Sequence, residues 1–169
     1  CSDQFSKATT MFAHNGVKDG TNKIRVKLCA AIHKGGTTYA VAKDTLSQAA
    51  LREQPVLVAD TIKWLQRHDR ESGDLYGMLP LIHGMPVATT DHIDLSPDKA
   101  ILQGRVGFIN SWVFHNEEQS TWEHGIACLH NLPVVVFVKF PNATWVLDGL
   151  SGPDLYHIVP TTGKWYLDR

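Results

Sequence analysis

The sequence predicts an α+β chain, helical in its first part and built of short strands in its second. Three observations carry this. Apolar residues recur at helical spacing as far as about residue 73. From Tyr76 onward the apolar runs shorten to strand length. Gly, Pro, Asn and Asp separate those runs, as turns between strands require. The change of period falls near residues 71–78 and divides the chain into a part over 1–75 and a β-rich part over 76–169.

In chain order, "ATTMFA" (8–13) is a short β-prone run, and "HNGVKDGTN" after it reads as a turn cluster. "TNKIRVKLCAAIHKGG" places Ile24, Leu28, Ala31 and Ile32 at helical spacing; Asp19 or Thr21 is the expected cap, and Gly35-Gly36 the stop. A second helix is expected in "PVLVADTIKWLQRHDRESG", where Val58, Ile62 and Leu65 follow i, i+4 and i+7 and Gly73 gives the exit. The strand candidates are "GMPVATT", "GRVGFINSWVF", "LPVVVFVKF", "TWVLDGL", "YHIVP" and "KWYLD", consistent with a small antiparallel sheet or barrel.

Composition narrows the function classes. The 169 residues are 43% hydrophobic and 20% charged, as in a folded soluble chain rather than a disordered one. Sixteen Lys and Arg against 17 Asp and Glu give a net charge of −1, so a protein that merely coats nucleic acid is disfavoured. A local phosphate track needs only a few clustered cations and stays open. No apolar run reaches the length of a membrane span, no signal-peptide pattern is present, and neither a membrane partner nor secretion is expected. Cys1, Cys29 and Cys128, odd in number and widely spaced, suggest reduced thiols in an intracellular compartment. A start at Cys1 and a stop on "KWYLDR" suggest a segment of a larger protein.

Catalytic constellations are incomplete. Asp91, His92 and Asp94 could supply a base and an orienting carboxylate, but near neighbours in a loop or strand seldom face one site, and Asp91 reads as a turn former. His124, Cys128 and His130 are the best metal candidates, without the paired motif that would complete a zinc site. A metal-dependent hydrolase is therefore a minor reading, and no metal ligand is assigned. Gly163-Lys164 is no phosphate loop, because Trp165 replaces the Ser or Thr and Ile158 the upstream Gly. No catalytic residue and no cofactor site is expected in this segment.

Two basic patches are the better candidates. Lys18, Lys23 and Arg25, joined by Lys27 and Asn22, surround the expected helix start, where free backbone N–H groups could also hold a phosphate. Lys63, Arg67, His68 and Arg70 form the second patch. Trp112, Trp122, Trp145 and Trp165 could stack on bases, although large aromatics in a small β domain are more often core.

The stretch "LPLIHGMPVATTDHID…ILQGRVGFINSWV" resembles a block of the Pif-type (petite integration frequency) DNA helicases and their Helitron relatives. The matching positions are Leu79, Leu81, Gly84, Val87, Asp94, Leu102, Gly104, Gly107 and Ile109. Ala88, Thr89, His92 and Gln103 depart from the pattern, His92 and Gln103 standing where the family has Asn. Upstream, Asn15 and Asn22 resemble two spaced asparagines leading into a helix of the second RecA-like lobe, and "LPVVVFVKF" and "WVLDGLSGPDLYHIVP" look like later strands.

The resemblance covers most of the chain and implies the α/β portion of a second RecA-like lobe followed by an inserted barrel of Src-homology-three type. It implies a piece of an ATP-driven 5′-to-3′ helicase that contributes strand grip; Asn15 and Asn22, together with Lys18, Lys23 and Arg25 of the first basic patch, are the residues expected to hold the single-stranded DNA. The remaining helicase lobes of the parent chain would be its partners. ATP and magnesium would bind elsewhere in the parent, so the segment would not hydrolyse ATP alone. A nuclear location follows if the parent is eukaryotic. The alternative is a non-catalytic nucleic-acid or protein-binding module, a decayed transposon remnant.

Overall fold

The computed structural model describes residues 15–33, 36–45, 77–118, 120–123, 126–150 and 152–163. It is an α+β arrangement of one helix and two four-stranded sheets. The expected strand over 8–13, the expected helix over 55–73, the second basic patch and "KWYLD" lie outside the described residues.

Helix α1 spans Asn15–His33. It is already helical through "NGVKDGT", so the turn expected there and the cap at Asp19 or Thr21 are corrected. A Gly in a helix interior costs about 1 kcal/mol relative to Ala, and α1 carries Gly20 in open space. Its packing compensates: Val26, Cys29 and Ala30 lie against the buried cluster of Ala40, Leu81, Ile82, Met85, Ile109 and Leu129. Small side chains at 29 and 30 let the helix approach closely. The stripe read from the sequence points elsewhere, with Ile24, Leu28 and Ile32 being 61%, 57% and 75% exposed.

The first sheet, sheet A, is ordered β2-β1-β6-β5, from β1 (Thr37–Val41), β2 (Met78–Leu81), β5 (Thr121–Glu123) and β6 (Ile126–Leu129). β1 runs antiparallel to β2 and parallel to β6. Sheet A thus joins strands from both parts of the chain, and the backbone hydrogen bond from Ala42 N–H to Gly77 C=O (2.9 Å) closes the excursion between β1 and β2.

The second sheet, sheet B, is wholly antiparallel and ordered β3-β4-β7-β8, from β3 (Pro86–Ala88), β4 (Val106–Val113), β7 (Val135–Lys139) and β8 (Leu155–Ile158). Among the described residues the strands form two open sheets rather than a closed barrel. One face of sheet B is buried. Ile109, Val136 and Trp112 meet the cluster shared with sheet A, and Val138 joins a second cluster with Ile101, Phe140 and Trp145. Fully burying Ile101 or Leu81 contributes roughly 1.5–3 kcal/mol each.

The stretch "TWVLDGL" is irregular, correcting the strand expected there. Asn142 and Gly149 at positive φ bend the chain. Phe140 N–H donates to Asp154 C=O, and Asp154 N–H to Trp145 C=O, closing it as a loop. Trp145 is buried within it, with its ring 6.3 Å from Phe140 and 5.8 Å from Tyr156. It is a core residue, as the composition of the β part suggests.

Candidate nucleic-acid interface

At 3.6 residues per turn, the spacing 15, 18, 22 and 25 places Asn15, Lys18, Asn22 and Arg25 along one face of α1. Val26 and Cys29, each four residues on from Asn22 and Arg25, continue that face into the core. Polar residues therefore line the N-terminal half of a face whose C-terminal half packs on the protein. Asn22 and Arg25 are exposed and Lys18 is half-buried. Lys23 lies about a third of a turn from the middle of that face, beside Lys27 at i+4, and both are exposed. The structure thus resolves the predicted patch into two rows. It also corrects the proposed role of the backbone: Asn22, Lys23 and Arg25 are inside α1, where each N–H is used by the helix itself.

The Asp91-His92-x-Asp94 group does not converge on one point. Asp91 Oδ1 accepts the His92 N–H at 2.7 Å, the turn-forming role expected of it. His92 Nδ1 accepts the Gln103 N–H at 3.2 Å, while Gln103 Nε2 donates to Thr90 C=O at 3.0 Å. The two positions that depart from the helicase pattern by replacing Asn, His92 and Gln103, are in contact with each other.

Asp94 does more than its sequence context indicates. Its Oδ1 accepts the Ser96 N–H at 2.9 Å and the Ser96 hydroxyl; its Oδ2 accepts the Tyr156 hydroxyl at 3.0 Å. Lys99 Nζ stands 3.7 Å away. Ser96, above all its hydroxyl, then Tyr156 and Lys99, hold the Asp94 carboxyl down to about 2. Burial, and then the carboxylate itself, push the Tyr156 phenol up. Asp94 therefore ties the 94–101 loop to β8.

Because the folded carboxyl titrates below its ordinary 3.8, the tie stabilises the protein fully above about pH 4 and is lost as pH falls towards 2. Asp94→Asn should lower stability at neutral pH and flatten the dependence in that acid window, as read by denaturant melts at a series of pH values. An unchanged acid slope would refute the tie.

The metal candidates also separate. Cys128 lies in β6, and His130 follows it in a turn, where its N–H donates to Glu118 Oε1 at 2.8 Å and its Nε2 meets Thr121 Oγ1 at 3.1 Å. His124 lies outside the described residues. Among those residues no group of three or more His, Cys, Asp or Glu is placed to hold a metal. Cys29 and Cys128 carry free thiols, and burial pushes the Cys29 thiol up, away from nucleophilic reactivity. No described helix is long and apolar enough to cross a membrane.

The block resembling the helicases occupies demanding positions. Gly84 has φ +76°, and a Cβ there would stand 2.9 Å from the His33 ring. Gly104 has φ +82°, again a conformation suited to glycine. Val87 pairs with Gly107 across β3 and β4, and Asp94 bridges Ile101. Ile101, rather than Leu102, is the buried residue of that turn; Leu102 is 43% exposed. No family model, curated protein or solved structure matches the chain.

Proposed function

We propose that this chain is part of a Pif-type DNA helicase, contributing single-strand grip and motor-lobe structure to an ATP-driven 5′-to-3′ motor. The observation that carries this reading is where the resembling positions fall. Gly84 and Gly104 stand at left-handed turns, Gly107 lies where a side chain would not fit, and Asp94 closes its loop.

Two further features support it. A helix packed near the parallel pairing of β1 with β6 is what part of a RecA-like lobe would supply. In this reading the antiparallel sheet B, an open sheet rather than a closed barrel, takes the place of the inserted barrel. The outward stripe of Ile24, Leu28 and Ile32 offers the remaining lobes of the parent chain an apolar contact. ATP and magnesium belong to those lobes in this reading.

Grip on DNA is assigned to α1. Lys18, Asn22 and Arg25 form one row for the phosphates, Asn15 belongs to the same helical register, and Lys23 stands to its side. Replacing Lys23 and Arg25 together by Ala should weaken single-strand binding for all sequences alike. The dependence of log K on log[salt] should flatten by roughly 0.7 per lost contact. Fluorescence anisotropy across a salt series reads both, and an unchanged slope would remove these residues from the interface. In the parent chain, Gly-x4-Gly-Lys-[Ser/Thr] should precede this segment and Thr-x-His-x-x-Gln-Gly follow it. An intact parent lacking both leaves the non-catalytic binding module as the reading.

A further inference from the structure

The open face of sheet B carries a small, open hollow that the α1 grip does not use. Along β7 the register alternates: Val138 turns into the core, whereas Phe137 turns outward, opposite Ser111 on β4 and His157 on β8. Between Ile109 and Ser111 the register slips, so Asn110 is an extra residue in β4. Such a bulge re-aims the side chain it carries. Here Asn110 lines a cavity of about 210 Å³ with Ser111, Phe137, Gly149, Leu150 and Leu155.

Size and chemistry together define what fits. Drug-sized ligands occupy roughly 300–1,000 Å³, and one benzene fills an apolar cavity of roughly 150 Å³. The space at Asn110 therefore suits one planar ring system. Phe137 gives it an aromatic surface, and Leu150 and Leu155 an apolar one. Asn110 Nδ2 donates to Ser111 Oγ at 3.2 Å, leaving the amide oxygen, a second amide hydrogen and the serine hydroxyl proton for a ligand. A nucleobase has this chemistry, a ring that stacks on an aromatic and carries donors and acceptors along one edge. Lys139, on the same face two residues beyond Phe137, is 55% exposed and already paired with Asp154 at 3.5 Å. The ring, rather than the phosphate, thus dominates recognition here.

We infer that the Asn110–Ser111–Phe137 cavity on the outer face of sheet B takes one unstacked nucleobase of a single strand. This rests on the grip reading above and adds base contact to phosphate contact.

The test uses the full 169-residue chain, a base-bearing single-stranded oligonucleotide, and an abasic oligonucleotide with the same number of phosphates. Phe137→Leu keeps an apolar side chain and removes the ring; Asn110→Ala removes the amide from the polar edge. Each should weaken the base-bearing strand about tenfold, the scale of one lost base–aromatic stack. Abasic binding and the salt slope should stay unchanged, in contrast to the Lys23/Arg25 variant, which flattens the slope for both probes. Equal loss on both probes, or no loss on either, would overturn the cavity assignment.

If no strand binds at all, the grip reading fails by itself. The cavity is then read by titrating adenosine and cytidine, at millimolar concentration, against the protein's amide NMR signals. Shifts centred on Asn110, Ser111 and Phe137 support it; their absence overturns it.

Discussion

Replacing Phe140 by alanine is expected to cost about 3–5 kcal/mol, near the top of the range for one core substitution. The ring is 1% exposed and packs in one cluster with Ile101, Val138 and Trp145. It also lies beneath the Arg105 guanidinium, whose carbon sits 5.4 Å from the ring centre. Arg105 donates to the Lys99 and Ala100 carbonyls, holding the 94–101 loop from below. Loss of the ring should therefore unfasten that loop as well as open a cavity. Urea melts read the first effect. Amide hydrogen exchange at Ile101, whose N–H is bonded to Asp94 C=O at 2.8 Å, reads the second. A loss below about 1 kcal/mol would mean that this core collapses onto the gap, contrary to the packing described.

Two glycine-to-alanine substitutions should have opposite signs. At Gly107 a Cβ would stand 2.6 Å from Val138 Cγ1 and 3.0 Å from two carbons of the Phe140 ring. Val138 is β-branched, hence stiff at χ1, and 2% exposed, so it has little room to retreat. Gly107→Ala should cost roughly 1–3 kcal/mol by overpacking. Combined with Val138→Ala, the loss should fall clearly short of the sum of the two single losses, because the second change makes the space the first requires. At Gly20 in α1, nothing lies within 4 Å of a built Cβ, and Gly20→Ala should stabilise by about 0.5–1 kcal/mol. Additive behaviour of the Gly107–Val138 pair would show that the close approach is relieved elsewhere.

What could be read from the sequence was what local pattern determines. β4 and β7 fall within the apolar runs that predict them, because alternation along a half-buried strand is written in consecutive residues. The start of α1 was hidden because Asn15, Gly16, Asp19 and Gly20 have turn propensities, whereas contacts of Val26, Cys29 and Ala30 with distant strands stabilise the helix. The same contacts explain why Ile24, Leu28 and Ile32, the better hydrophobic stripe, face outward. "TWVLDGL" alternates like a strand, yet Trp145 reaches the core from a loop. The Asp94–Tyr156 hydrogen bond spans 62 residues and has no local signature. The Asn110 cavity depends on one register slip, which no pattern of residue types announces.

The central position of β1 in sheet A has a consequence for how the chain is made. Its antiparallel neighbour β2 follows on the same side of the sequence, but Thr37 meets its parallel partner only at Ile126. At about 5–20 residues per second of synthesis, β1 waits several seconds on the ribosome with one row of backbone N–H and C=O groups open. An open edge of that kind recruits other strands. The newborn chain therefore carries this open edge until β6 emerges, and products truncated ahead of Ile126 should aggregate more readily than the full chain.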